Sequence, residues 1–302
     1  MSLYKYVPFD IAMKILSGTI RMTQPSEFND PFELTVELYV PPDVEDINYN
    51  LSFDTLSLRE GLGDYILQDD FESEFCNHLN SLKIKRELDS KIGILCLSKK
   101  RDSHLMWAHY TENHSGAVFE FDNNHPFFDG QIDVEYRSER LRIDFNYFIK
   151  RELPIPLSML FSKPDAWEYE EEVRITRDLV NLTTSGDASD SLPIYLAELP
   201  LECVKSITLG IKSSKESVLA IYNEIKDTQI ELNLADISPQ GYDFIYDPIK
   251  SNAPFSEKPE IISIRIADIF KNENGYIGNM ARIVQAANNS HLRWISKSKK
   301  TQ

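Results

Sequence analysis

The sequence predicts an α+β protein built on one curved, mainly antiparallel sheet, with flanking helices and an acidic helical insert. Three observations carry this reading. Apolar and polar letters alternate along GAVFEFD, residues 116–122, as in a half-buried strand. The run IGILCLS, residues 92–98, is almost continuously apolar, which suits a strand covered on both faces. Between Asp64 and Leu88 the apolar residues Tyr65, Ile66, Phe71, Phe75, Leu79, Leu82 and Ile84 instead recur at helical intervals. Residues 1–250 are read as a single mixed domain carrying the insert at 44–90, and residues 251–302 as a C-terminal helical extension.

The chain opens with LYKY as a short strand. DIAMKIL follows as a helix with Asp10 at its N-cap and Gly18 just past its end, and TIRMT returns as a second strand. In EFNDPFE the triplet Asn29-Asp30-Pro31 is a turn signal, with proline fixing the next backbone angle, so Phe28 and Phe32 are both expected to fold back onto the core. Asp30 and Glu33 are read first as parts of this rigid turn. IGILCLS leads into SHLMWAHY, a short helix capped by Ser103, and IDVEY and RLRIDF supply further strands. Residues 181–193 have loop composition. A last strand-helix unit joins VKSITLG to SSKESVLAIYNEI, where Ser213 and Glu216 have capping-box spacing. That loop has one glycine and no phosphate-binding fingerprint, so capping is favoured over anion binding there. Gln240 to Pro259 reads as loop-rich or short-stranded, and MARIVQAANNSHLRWI as a final amphipathic helix.

At 302 residues and 42% hydrophobic, the chain can bury a large core. Its 48 acidic against 32 basic residues give a net charge of −16, which argues against non-specific binding to a phosphate backbone, because such binding runs on Lys and Arg. Arg293, Lys297, Lys299 and Lys300 form a basic end, read as a solvated tail. No charged leader precedes an apolar run, and no stretch is long enough to span a bilayer, so the expected location is the cytoplasm and no membrane partner is expected. Cys76, Cys96 and Cys203 lack paired spacing and read as buried small hydrophobes. His104, His109 and His114 recur every five residues; on a helix each step would turn by about 140°, so they are not expected to share a metal ion.

Chemistry is most concentrated in WEYEEEVR, residues 167–174. Read as a strand, it puts Glu170, Glu172 and Arg174 on one face and Glu171, Val173 and Ile175 on the other. Same-side neighbours on a strand lie roughly 7 Å apart, so the two carboxylates would be coupled and Arg174 would hold at least one ionised. Such a pair can accept hydrogen bonds from a sugar diol or steady a developing positive charge. The competing reading is a solvated edge strand with a local ion pair.

LYKY, EFNDPFE, ILCLS, MWAHYTENHSGAVFEFD, Lys163 before a tryptophan, WEYEEEVRI and ITLG occur in this order between about residues 3 and 212. In that order they resemble a prokaryotic family of unknown function, DUF2971. A more distant resemblance is to ADP-ribosyltransferases, in which a first-strand polar residue, a Ser/Thr-bearing second strand and a Glu-x-Glu strand enclose NAD. That resemblance implies Glu172 on the nicotinamide ribose, Glu170 toward the acceptor, Lys5 in the first-strand position and Thr23 in the second-strand position. Lys5 departs from the Arg or His common there and lacks the bidentate guanidinium fork. Tyr6, Trp107 and Tyr110 are the aromatic candidates for stacking the leaving ring, and His109 at the edge of MWAHYTENHSG for bonding a phosphate or ribose. NAD is then the substrate, and the macromolecular acceptor stays unnamed. The alternatives are a non-catalytic module binding a peptide or nucleotide, and a magnesium-dependent nuclease using Glu170, Glu172 and Asp122 or Glu120 near Lys163.

Overall fold

The computed structural model describes residues 2–39, 85–144, 157–185, 192–252 and 263–298. Of the expected insert at 44–90, all but the helical stretch 85–89 and its final turn lies outside the described residues. The chain is α+β with mostly antiparallel pairing. It divides into two units, the first comprising Met1–Ile20, Leu97–Asp129 and Ala197–Gln302, the second Arg21–Cys96 and Gly130–Leu196.

In the first unit the strands lie in the order Phe244–Lys250, Glu231–Ile237, Val204–Leu209, Ala117–Asp122 and Ser2–Val7. The only parallel pair among these joins Val204–Leu209 to Glu231–Ile237. It is connected by the helix Lys215–Ile225, as a parallel crossover requires. AVFEFD alternates as expected, with Phe119 and Phe121 fully buried and Glu120 only partly so. The first helix, Phe9–Leu16, follows Pro8 with no side-chain cap, so Asp10 sits inside the first turn rather than capping it. Proline at that position sets the entry angle and leaves Asp10 to act on the helix dipole. Gly18, at φ 87, turns the chain out of this helix as expected. Ser103 caps His104–Tyr110 by accepting from the Met106 N–H. In the crossover helix the cap is Ser214, which accepts from Ser217 N–H; Ser213 instead donates to the Ser115 carbonyl.

In the second unit the first five residues of Ile92–Ser98 lie beside Glu172–Asp178, which pairs in turn with Ile132–Asp133. Thr23 and Ile94 form an isolated antiparallel bridge through reciprocal backbone bonds of 2.8 Å. Two short parallel pairs, Val36–Tyr39 with Leu141–Asp144 and Glu135–Arg137 with Ser162–Pro164, also belong to this unit. The core is Leu34, Val36, Ile94, Ile143, Met159 and Leu160, with Phe28 packed against it. Phe32 does not join it: at 61% exposure it points outward, because the Asp30 turn sends consecutive aromatics in different directions. Residues 183–185, read as part of a loop, are a strand paired with Ile194 to Leu196.

Candidate functional site

The stretch from Lys163 to Arg174 folds back on itself. After the short strand Ser162–Pro164, Pro164 leads into the 3₁₀ turn Asp165–Glu170; Glu171 then adopts left-handed backbone angles, φ 43 and ψ 54, and the strand Glu172–Asp178 begins. Glu170 is therefore on a turn and not on the strand face expected from the alternation. The left-handed residue between them nevertheless brings Glu170 and Glu172 to a common point. Glu33 arrives there from the EFNDPFE turn.

The solvated-strand alternative fails here, since Glu33, Lys163, Glu170, Glu172 and Arg174 are all at most 5% exposed. Lys163 Nζ lies 2.6 Å from Glu170 Oε2 and 3.1 Å from Glu172 Oε2. Arg174 grips Glu172 with both edges of its fork, Nε to Oε1 at 2.8 Å and Nη2 to Oε2 at 3.0 Å. It also donates to the Leu160 carbonyl at 2.7 Å and to Glu33 Oε1. The planar guanidinium can serve three acceptors at once, which a lysine at this position could not do with fixed geometry. Lys163 also lies 4.9 Å from the centre of the Trp167 ring, and Arg174 5.2 Å from that of Phe28.

Burial opposes ionisation of Glu172, but Arg174 and Lys163 outweigh it and hold the carboxyl at about 2. Burial also acts on Glu33; there Arg174 opposes it, the Glu172 charge reinforces it, and the net direction is upward. Arg174 is held charged: burial disfavours its cation, and the facing carboxylates more than compensate. Tyr136 completes the cluster by accepting the Glu172 backbone N–H at 2.7 Å, and burial pushes its own hydroxyl up to about 12.

A cavity of about 300 Å³ opens within the same unit, and Lys163 is the member of the charged cluster that lines it. Its apolar wall includes Phe32, Leu34, Val36 and Met159, and its polar wall Arg137, Glu139 and Arg140. The cavity size is at the low end for small-molecule sites.

Of the residues singled out in the sequence, Glu170, Glu172 and Arg174 converge, and Thr23 lies in the same unit, paired through its backbone to Ile94. Lys5, Tyr6, Trp107, His109 and Tyr110 belong to the first unit. Lys5 sits opposite Phe119 in the sheet. Tyr6 meets Trp107 edge-on at 5.7 Å, and its hydroxyl, raised by burial, bonds the Lys100 carbonyl. His109 packs against Tyr110 at 6.3 Å. His114 is off the helix: Glu112, Asn113 and His114 all have positive φ, and the turn they make stacks His114 parallel to Trp107. Glu33, Tyr136 and the paired role of Lys163 are additions that periodicity does not reveal; the acidic residue beside Asn-Asp-Pro was the one available signal.

The carboxylates that the nuclease reading calls on are bonded to other partners. Among the described residues no group of three or more His, Cys, Asp or Glu side chains could hold a metal ion. Glu120 accepts from Ser2 and Ser206, Asp122 pairs with Lys205, and Glu170 and Glu172 face cations. No helix among the described residues is long and apolar enough to cross a membrane.

A family model described as a protein of unknown function (DUF2971) matches residues 106–175, a segment that holds MWAHYTENHSG, Lys163, Glu170, Glu172 and Arg174. No curated protein matches the chain, and no solved structure does.

Proposed function

We propose that this chain, with its DUF2971 segment, binds an NAD-type nucleotide in the second unit and acts on the bond between nicotinamide and ribose, in the manner of an ADP-ribosyltransferase. One observation carries the reading: two buried carboxylates meet at Lys163, and Lys163 forms a wall of a ligand-sized cavity. Cleaving that bond develops positive charge on the sugar, which a nearby ionised carboxylate in a poorly solvated site stabilises. Glu172, held ionised by Arg174, fits that role, and Glu170 takes the acceptor-side role that the resemblance implies. Lys163 stands between the cavity and both carboxylates. Engagement of substrate thus requires its flexible ammonium to leave them for a phosphate of the ligand, a move suited to a compact charge on a four-carbon stem.

Release of nicotinamide from NAD, followed by chromatography, tests this. Glu172→Gln should lower the rate by about 10²-fold or more. Absence of nicotinamide release, together with no NAD binding by calorimetry at millimolar ligand, would remove the proposal. A second reading, a binding module without chemistry, draws support from the fact that Glu172 is already bonded to both Lys163 and Arg174. Under that reading NAD or a related nucleotide binds without turnover, and Glu172→Gln alters stability while leaving affinity unchanged.

A further inference from the structure

In a chain with a net charge of −16, three cationic side chains, Arg137, Arg140 and Lys163, line one cavity against the single carboxylate Glu139. Lys163 is matched by Glu170 and Glu172, and Arg137 by Glu135, so the unmatched positive charge of the lining lies on Arg140. Arg137 gives Nη2 to Glu135 at 2.6 Å, while its Nε–H is shielded from solvent and has no hydrogen-bond partner. Buried donors are almost always bonded, so this N–H is unmet hydrogen-bonding capacity on a residue of the cavity lining. Arg140, two bends further along, is exposed and has no ion-pair partner among the described residues. Phe32, at 61% exposure, lines the same cavity, as do Leu34 and Met159. An exposed aromatic in the lining of a cavity that also holds these cations suits a ligand with a flat body and an anionic end.

We infer that Arg137 and Arg140 form a phosphate subsite in this cavity, and that its ligand is a nucleoside phosphate whose base rests on Phe32. This deepens the NAD reading by assigning the phosphate-binding residues, and it stands or falls on a separate measurement. Arg137 offers the phosphate the guanidinium N–H groups that Glu135 does not take, and exposed Arg140 supplies the second cation. Lys163 becomes the inner contact once the phosphate draws it from the glutamates.

Calorimetric titration with adenosine, AMP and inorganic phosphate provides the test. AMP should bind at least about tenfold tighter than adenosine, an advantage that shrinks with added salt. Arg137→Gln and Arg140→Gln together should bring the two ligands to equal affinity while leaving adenosine binding unchanged. Arg140→Gln alone, at an exposed position that cannot disturb the core, should remove part of the advantage. Equal binding of AMP and adenosine to the unaltered protein, no binding of either, or an AMP preference that survives in the double variant would each overturn the inference. Nicotinamide release without any AMP preference would sink the phosphate subsite and spare the NAD reading. AMP preference through these arginines with no nicotinamide release would do the reverse.

Discussion

Arg174 hydrogen-bonds Glu33 across 141 positions of sequence, joining the strand Glu172–Asp178 to the turn after Asn29. Both side chains are buried, and the same guanidinium holds Glu172. Removing one partner from a buried charged network leaves the others desolvated and unmatched. Arg174→Met should therefore destabilise the protein by about 3–5 kcal/mol. Glu33→Gln, whose amide oxygen can still accept from Arg174, should lose only about 1 kcal/mol. Urea denaturation of the two variants checks the contrast, and equal losses would contradict it.

Acid should weaken the fold through Glu172. Its carboxyl is lowered from an ordinary 4.5 to about 2 in the folded protein, so the stability it contributes is fully present above about 4.5 and is lost as pH falls toward 2. The contribution is on the order of 3 kcal/mol. Glu33 works in the opposite sense: its folded value is raised, so its contribution is complete below the ordinary value and declines as pH rises through the folded one. The urea midpoint followed from pH 6 to pH 3 should drop less steeply in Glu172→Gln than in the unaltered protein. Parallel curves would show that Glu172 is not depressed.

Gly210 lies so close to the Glu112–His114 turn that an added Cβ would come 2.1 Å from the His114 carbonyl oxygen. That oxygen accepts the Lys212 N–H, so the turn has little freedom to retreat. Gly210→Ala should cost about 1–3 kcal/mol by overpacking, and should change the near-ultraviolet circular dichroism through Trp107, which stacks on His114. A thermal melt that matches the unaltered protein would refute the tightness of this contact.

The helix Lys215–Ile225 starts from Ser214, whose hydroxyl accepts from the Ser217 N–H. Ser214→Ala should lose about 1 kcal/mol. Glu216→Gln, at an exposed site where its own backbone N–H and the Ser214 hydroxyl hold the carboxyl below its ordinary value, should lose less than Ser214→Ala. Thermal denaturation distinguishes this cap from the Ser213-based one that spacing suggested.

Much of the fold was legible because strands and helices write their period into the letters. AVFEFD alternates and IGILCLS is buried on both sides, as read. Local capping was less secure. Where Ser213 and Ser214 are adjacent, spacing alone chooses Ser213, whose hydroxyl is instead drawn to a carbonyl remote in sequence. The WEYEEEVR motif pointed to Glu170, Glu172 and Arg174, yet through a strand that does not extend to Glu170; the left-handed Glu171 leaves no mark on a glutamate run. Glu33 was invisible as a partner because its role comes from a contact across most of the chain. Phe32 was misplaced inward because a turn signal says where the chain bends, not which of two flanking rings ends up covered.

Glu33, Glu170 and Glu172 outnumber Lys163 and Arg174 by one. With burial raising Glu33 and the other two glutamates facing cations, the surplus falls on Glu33, which becomes the member that most readily keeps its hydrogen. Through Arg174 the network thus joins one carboxyl that resists ionisation to one that is held ionised. A ligand that drew Lys163 away would take one positive charge from the cluster, and because a proton passed between its carboxyl groups leaves the total unchanged, only a proton or cation arriving from outside could restore the balance.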